Sequence, residues 1–108
     1  MFLFDPKRVN VLGEYGGIGL PVENHLWWNK RNWGYVQFKN SDEVTAEYVK
    51  YANILKDYVK RGFSAAVYTQ TTDVEGEVNG LMTYDRKVIK INEAAVKNVN
   101  QSVINELK

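Results

Sequence analysis

The residues best placed to do chemistry follow the short apolar run Val9 to Leu12, in the segment Leu12-Gly13-Glu14-Tyr15-Gly16-Gly17. A run of that kind, stopped by Gly13, reads as a strand buried on both faces. Parallel α/β architectures collect reacting groups at the carboxyl ends of their strands, so a carboxylate directly after this strand is the candidate catalytic residue, Glu14. The flanking glycines let backbone or ligand approach closely, and Tyr15 offers a hydroxyl able to hydrogen-bond and orient a carboxylate. The plain alternative is a carboxylate that begins a surface turn.

Trp27, Trp28 and Trp33 lie in the glycine- and asparagine-rich stretch that follows. Flat aromatic faces with polar edges suit the apolar C–H faces of sugars, and Asn24, His25, Asn29 and Asn32 supply hydrogen-bonding groups nearby. The alternative for each ring is an anchor that holds a long loop to the body, and His25 reads as a hydrogen-bonded loop residue rather than a metal ligand. Tyr68, Thr69 and Gln70 lead to Asp73, Glu75 and Glu77, which would share the rim of Glu14 if the two strands are parallel. The alternative there is a solvated loop, favoured for Glu77. Asp85 and Arg86 read as a local ion pair, worth little where exposed.

Composition narrows the chemistry. Hydrophobic residues make up 44%, aromatics 13% and charged residues 25%, the profile of a chain that buries a core. Fourteen Lys and Arg against thirteen Asp and Glu give a charge of +1, so no electrostatic footprint for nucleic acid or an acidic membrane exists, and neither partner is expected. With no cysteine and one histidine, thiol catalysis, disulfide scaffolds and multi-histidine metal sites drop out, and no metal or cofactor is expected. No apolar run approaches the ~20 residues of a membrane span, and Met1 to Phe4 meets Asp5 and Pro6 too soon for a signal sequence. At 108 residues the chain has the size of one domain or a piece of a larger one.

The elements that must position these residues follow from periodicity. Phe2 to Phe4 reads as a further strand or a packing tail, and Gly13 to Asn40 shows neither period, which predicts a long ordered loop. Ser41 reads as an N-cap, Asp42 and Glu43 favour a first helical turn, and Lys60-Arg61-Gly62 supplies a basic last turn and a stop. Between them Val44, Tyr48, Tyr51, Ala52, Leu55 and Val59 recur at helical spacing and form one face to bury. Ser64 to Gln70 has the small and β-branched residues of a central strand. Strand, loop, helix and strand predict a parallel βαβ unit with a right-handed crossover. Lys87 to Ile91 reads as a short strand, or, alternatively, Leu81 to Tyr84 pairs with Val88 to Ile91 as a hairpin. Asn92 can cap a last helix with Val96, Val99, Val103 and Leu107 along its apolar stripe.

Four blocks in this order, Leu12 to Pro21, Ala66 to Gln70, Thr72 to Glu75 and Gly80 to Arg86, resemble the last part of the catalytic barrel of glycoside hydrolase family 2. That family contains β-galactosidases, β-glucuronidases and β-mannosidases, and the resemblance runs from about Val9 to the end of the chain. It implies an α/β fold in which this βαβα chain corresponds to the last two β/α units of a TIM barrel, with a long loop after the first strand. It implies that Glu14 is the nucleophile of a retaining mechanism. Tyr68 falls where many members place a tryptophan near the bound sugar, and the stretch from Gly80 to Arg86 resembles a structural segment before the final helix.

Retaining hydrolysis needs two carboxyl groups roughly 5 to 5.5 Å apart. In the family the acid/base is the glutamate of an Asn-Glu pair upstream of the nucleophile, and this sequence has no such pair there. Asn92-Glu93 and Asn105-Glu106 both follow Glu14 and belong to the last helix, while Glu75 or Asp73 could in principle substitute. The resulting expectation is a segment of a β-glycosidase that carries the nucleophile position, with Tyr15, Trp27, Trp28, Trp33, Tyr68 and Asp73 as substrate contacts, and that is inactive alone. Two strands cannot close a barrel, so self-association or dependence on further barrel segments is expected. The alternatives are a noncatalytic carbohydrate-binding module and a small self-associating α/β module.

Overall fold

The computed structural model describes residues 5–106 of the chain, which form a small mixed α/β unit of two helices and short parallel strands. Phe2 to Phe4 and Leu107 lie outside the described residues. In chain order the elements are β1 (Asn10–Gly16), β2 (Ile18–Gly19), β3 (Val36–Gln37), α1 (Ser41–Lys60), β4 (Phe63–Thr69) and α2 (Glu93–Asn105).

The helix α1 lies where its pattern predicts, but its cap is Asn40 rather than Ser41. Asn40 is extended and its Oδ1 accepts from the backbone N–H of Glu43 at 2.9 Å, satisfying one orphan donor of the first turn. The Ser41 hydroxyl is engaged elsewhere, donating to the Lys90 carbonyl at 2.6 Å. Asp42 and Glu43 occupy the first turn and Lys60 the last, each complementing the helix dipole. Asn92 caps α2 as expected, accepting from the Ala95 N–H at 3.0 Å.

β1 and β4 pair in parallel, with Glu14 opposite Val67, Tyr15 opposite Tyr68 and Gly16 opposite Thr69. The expected parallel unit is therefore present, with two corrections. β1 does not stop at Gly13; its pairing is irregular between Val11 and Glu14 and then resumes, so Glu14 sits within the strand. Nor is β1 buried on both faces. Val9, just before the strand, is 76% exposed and Val11 within it 52%, because the helices cover one side of a sheet that has two strands among the described residues. For the same reason β4 is not a central strand, and its Val67 is also exposed.

The expected long loop contains a second small parallel pair, in which Ile18 meets Val36 and Gly19 meets Gln37. Residues 81–91 adopt the hairpin pairing rather than an independent strand. Met82 faces Ile89 in antiparallel register, the Thr83 N–H donates to the Val88 carbonyl at 3.0 Å, and the Lys90 N–H donates to the Leu81 carbonyl at 2.9 Å.

Ile18 and Leu20 from the loop, Val44, Tyr48 and Ala52 from α1, and Val96 and Val99 from α2 form the core. The Tyr48 hydroxyl reaches across it to Asn100 Oδ1 at 2.7 Å. Burial of these side chains, each worth roughly 1.5–3 kcal/mol when large and apolar, holds α1 and α2 together over the sheet. The Cα radius of gyration is 15.1 Å, against about 13 Å for a compact domain of this size. The extra extent is elongation, with principal-axis extents of 48 × 27 × 19 Å.

Candidate functional site

Glu14 is exposed and lines a cavity of about 260 Å³ together with Tyr15, Gly16, Gly17, Tyr35 and Thr69. The cavity lies where the carboxyl ends of β1 and β4 come together, since parallel pairing sets Gly16 opposite Thr69. The Gly17 N–H donates to the Thr69 carbonyl at 2.8 Å and extends that contact by one residue. Gly17 has a φ of +70°, and a Cβ there would stand 2.7 Å from the Tyr35 ring. Only glycine allows the turn and the close seating of Tyr35 together.

Tyr35 was not among the residues singled out by sequence, and it forms one wall of this cavity. Its local sequence, Gly34-Tyr35, carries no periodic signal. The placement depends on the β2–β3 pairing, which brings a segment eighteen residues downstream against Gly17. Trp33 meets the Tyr35 ring edge-to-face with centroids 5.5 Å apart, so one of the three expected tryptophans stands behind this wall. Backbone bonds hold it there: the Trp33 N–H donates to the Gly76 carbonyl, and the Trp33 carbonyl accepts from the Val78 N–H, both at 2.7 Å.

Tyr15 lines the cavity, yet it makes no hydrogen bond to Glu14. Its ring turns to the helix side and packs edge-to-face on Tyr68 at 5.4 Å. Burial, and then the nearby Tyr48, raises its phenol above the ordinary value. Tyr68 lies deeper, between Tyr15 and Tyr48, whose ring centroid is 5.0 Å away. Burial foremost, with three neighbouring tyrosines, holds the Tyr68 phenol far above its usual range, and its buried hydroxyl has no partner among the described residues. Tyr68 is thus on the core side of the sheet, not in the lining of the Glu14 cavity.

Asp73 is also removed from the cavity. It is 4% exposed, its Oδ1 accepts from the Lys90 ammonium at 2.7 Å and from the Gly80 N–H at 2.9 Å, and Lys90 itself is 1% exposed. Lys90 donates also to the Val78 carbonyl at 3.0 Å. Burial pushes the Asp73 carboxyl up and the Lys90 ammonium down, and their mutual attraction offsets part of both shifts. This is a structural ion pair beneath the segment 72–80. A Cβ at Gly80 would run into the Thr72–Asp73 backbone, so that packing also requires glycine. The expectation of Asp73 as a substrate contact is corrected on this geometry.

Glu75 and Glu77 belong to a turn in which Val74 and Glu77 exchange backbone hydrogen bonds, and neither lines the Glu14 cavity. Among the described residues Glu14 is therefore the one carboxylate in the cavity lining. Trp27 and Trp28 line a separate depression with Glu23, Asn24, Leu26 and Asn29. His25, as expected, is a hydrogen-bonded loop residue, and its ring reaches out of the loop to Asp85 Oδ2 at 2.8 Å. Asp85 turns to His25 and to the Thr83 hydroxyl at 2.6 Å rather than to Arg86, which overturns the expected local ion pair. Among the described residues no cluster of three or more His, Asp or Glu could hold a metal ion, and no helix is long and apolar enough to cross a membrane. No family model and no curated protein matches the chain.

Proposed function

We propose that the chain carries the nucleophile of a retaining β-glycoside hydrolase, with Glu14 attacking the anomeric carbon. The observation that carries this reading is the cavity itself. A single exposed carboxylate lies at the joined carboxyl ends of two parallel strands, against an aromatic wall of Tyr35 backed by Trp33. That combination suits a sugar ring, which presents apolar C–H faces to aromatics and its anomeric carbon to a carboxylate. The four sequence blocks similar to the end of a family 2 glycosidase barrel support the same role.

Retention requires a second carboxyl group roughly 5 to 5.5 Å from the first to protonate the leaving oxygen. Asp73 is engaged with Lys90, and Glu75 and Glu77 are outside the cavity, so the acid/base comes from another part of a barrel or from a second copy. The exposed face carrying Val11 and Val67 beside Glu14 is the surface such a partner would cover. The chain alone is then a β-glycosidase segment without turnover.

A substrate that needs no acid tests the nucleophile directly. Incubation with a panel of 2,4-dinitrophenyl 2-deoxy-2-fluoro-β-glycosides should add one fluoroglycosyl group to Glu14, read by peptide mass spectrometry and absent in Glu14→Gln. Labelling elsewhere, or none across the panel, overturns the assignment.

A further inference from the structure

We infer that Trp27 and Trp28 form a second carbohydrate-binding site, separate from the Glu14 cavity and independent of the role of Glu14. Trp27 is 62% exposed and Trp28 48%, large apolar surfaces for a folded chain to leave in water. They line a depression of about 330 Å³ with Leu26, Glu23, Asn24 and Asn29. That volume is at the low end of the roughly 300–1,000 Å³ of small-molecule sites and suits one or two pyranose rings.

The lining specifies the ligand class. Two indole faces and a leucine sit beside a carboxylate and two amides, and none of the Glu23, Asn24 or Asn29 side chains has a hydrogen-bond partner among the described residues. All three are exposed and free to exchange water for a ligand, and a ligand that combines an apolar face with several hydroxyl donors and acceptors matches this lining. A pyranose does this: its axial C–H groups pack on indole while its equatorial hydroxyls reach the side chains at the edge. A proline-rich peptide would also stack on tryptophan, but its prolines carry no N–H to donate to the carboxylate and the two amide oxygens.

The site is held in place before any ligand arrives. The His25 N–H closes a turn on the Val22 carbonyl at 3.0 Å, and the His25 ring meets Asp85 of the 81–91 hairpin. Trp27 packs edge-to-face on Tyr84 of the same hairpin, with centroids 5.6 Å apart and planes at 87°. Little ordering entropy remains to be lost on binding.

The test is tryptophan fluorescence of the full chain titrated with cellotetraose, β-1,4-galactotetraose, β-1,4-mannotetraose and xylotetraose. At least one probe should give a saturable change with a dissociation constant in the millimolar range or tighter. Trp27→Ala and Trp28→Ala should each weaken it at least tenfold with unchanged far-UV circular dichroism. Asn29→Ala, which leaves both rings in place, should weaken it severalfold, and Glu14→Gln should leave it intact. No response to any probe overturns the inference. A response that survives in both tryptophan variants but vanishes in Glu14→Gln overturns it too, while leaving the nucleophile reading standing. A spectrum that changes with protein concentration rather than with sugar, together with a rise in mass by light scattering, would make the depression a protein-docking surface instead.

Discussion

His25 Nδ1 and Asp85 Oδ2, sixty residues apart in sequence, meet at 2.8 Å and fasten the tryptophan loop to the 81–91 hairpin. Hydrogen bonds from the Thr83 hydroxyl and from His25, helped by the Lys87 N–H, hold the Asp85 carboxyl well below the usual carboxylate range. A carboxyl depressed in the folded state stabilises above its unfolded value, about 3.9, and that stability is lost as pH falls through the folded value. Asp85→Asn should therefore lower the urea midpoint at pH 7. The difference from the parent chain should shrink steadily below about pH 4. A difference that stays constant from pH 7 to pH 3 would show that Asp85 acts through neutral hydrogen bonding alone.

The buried pair of Asp73 and Lys90 predicts a strongly asymmetric mutant cycle. Removing one partner leaves the other charge buried and uncompensated, which typically costs about 3–5 kcal/mol, whereas replacing both by apolar groups is often close to neutral. Lys90→Met should unfold at much lower urea than the parent. The double variant Asp73→Asn with Lys90→Met, which keeps an oxygen to accept from the buried Gly80 N–H, should recover much of the loss, and a double variant as unstable as the sum of the singles would refute the ionised pair.

Gly17→Ala tests the wall of the Glu14 cavity. A left-handed backbone costs an alanine about 1–2 kcal/mol, and its Cβ would also strike the Tyr35 ring. The expected result is a loss of stability of at least that size together with displacement of Tyr35, seen as a change in near-UV circular dichroism. The fluoroglycoside labelling of Glu14 should fall with it. Tyr35→Ala, which removes the wall without touching the turn, should reduce the labelling while leaving stability nearly unchanged.

The caps can be separated by two substitutions one residue apart. Asn40→Ala should cost about 1 kcal/mol by removing the bond to the Glu43 N–H. Ser41→Ala removes a different interaction, the bond from its hydroxyl to the Lys90 carbonyl that ties the start of α1 to the hairpin. Hydrogen exchange should then rise locally in the first turn of α1 for Asn40→Ala, and in residues 81–91 for Ser41→Ala. Identical exchange patterns would contradict the two roles.

Near-neighbour physics made much of this chain legible from residues alone. Val44, Tyr48 and Ala52 repeat on one helical face and Asn92 precedes a helical stripe, so both helices follow from spacing and capping, interactions that span four residues or fewer. The parallel pairing of β1 with β4 follows as well, because a helix between two strands brings them side by side in the same direction. Glu14 at their carboxyl ends, and Thr69 beside it, were readable for the same reason.

Tertiary structure decided what those local rules cannot reach. Asn40 displaces Ser41 as the cap because the serine hydroxyl is drawn to a carbonyl forty-nine residues away. Asp73 is taken from the expected rim by Lys90, and Tyr35 is brought to the cavity by a pairing of two-residue strands with no periodic signature. The three tryptophans, one cluster in sequence, are divided between the Glu14 wall and a separate depression by backbone bonds from Trp33 to residues 76–78 and by the packing of Trp27 on Tyr84. Each of these outcomes depends on which distant polar group or ring satisfies a local one, and sequence spacing carries no information about that choice until the chain has closed on itself.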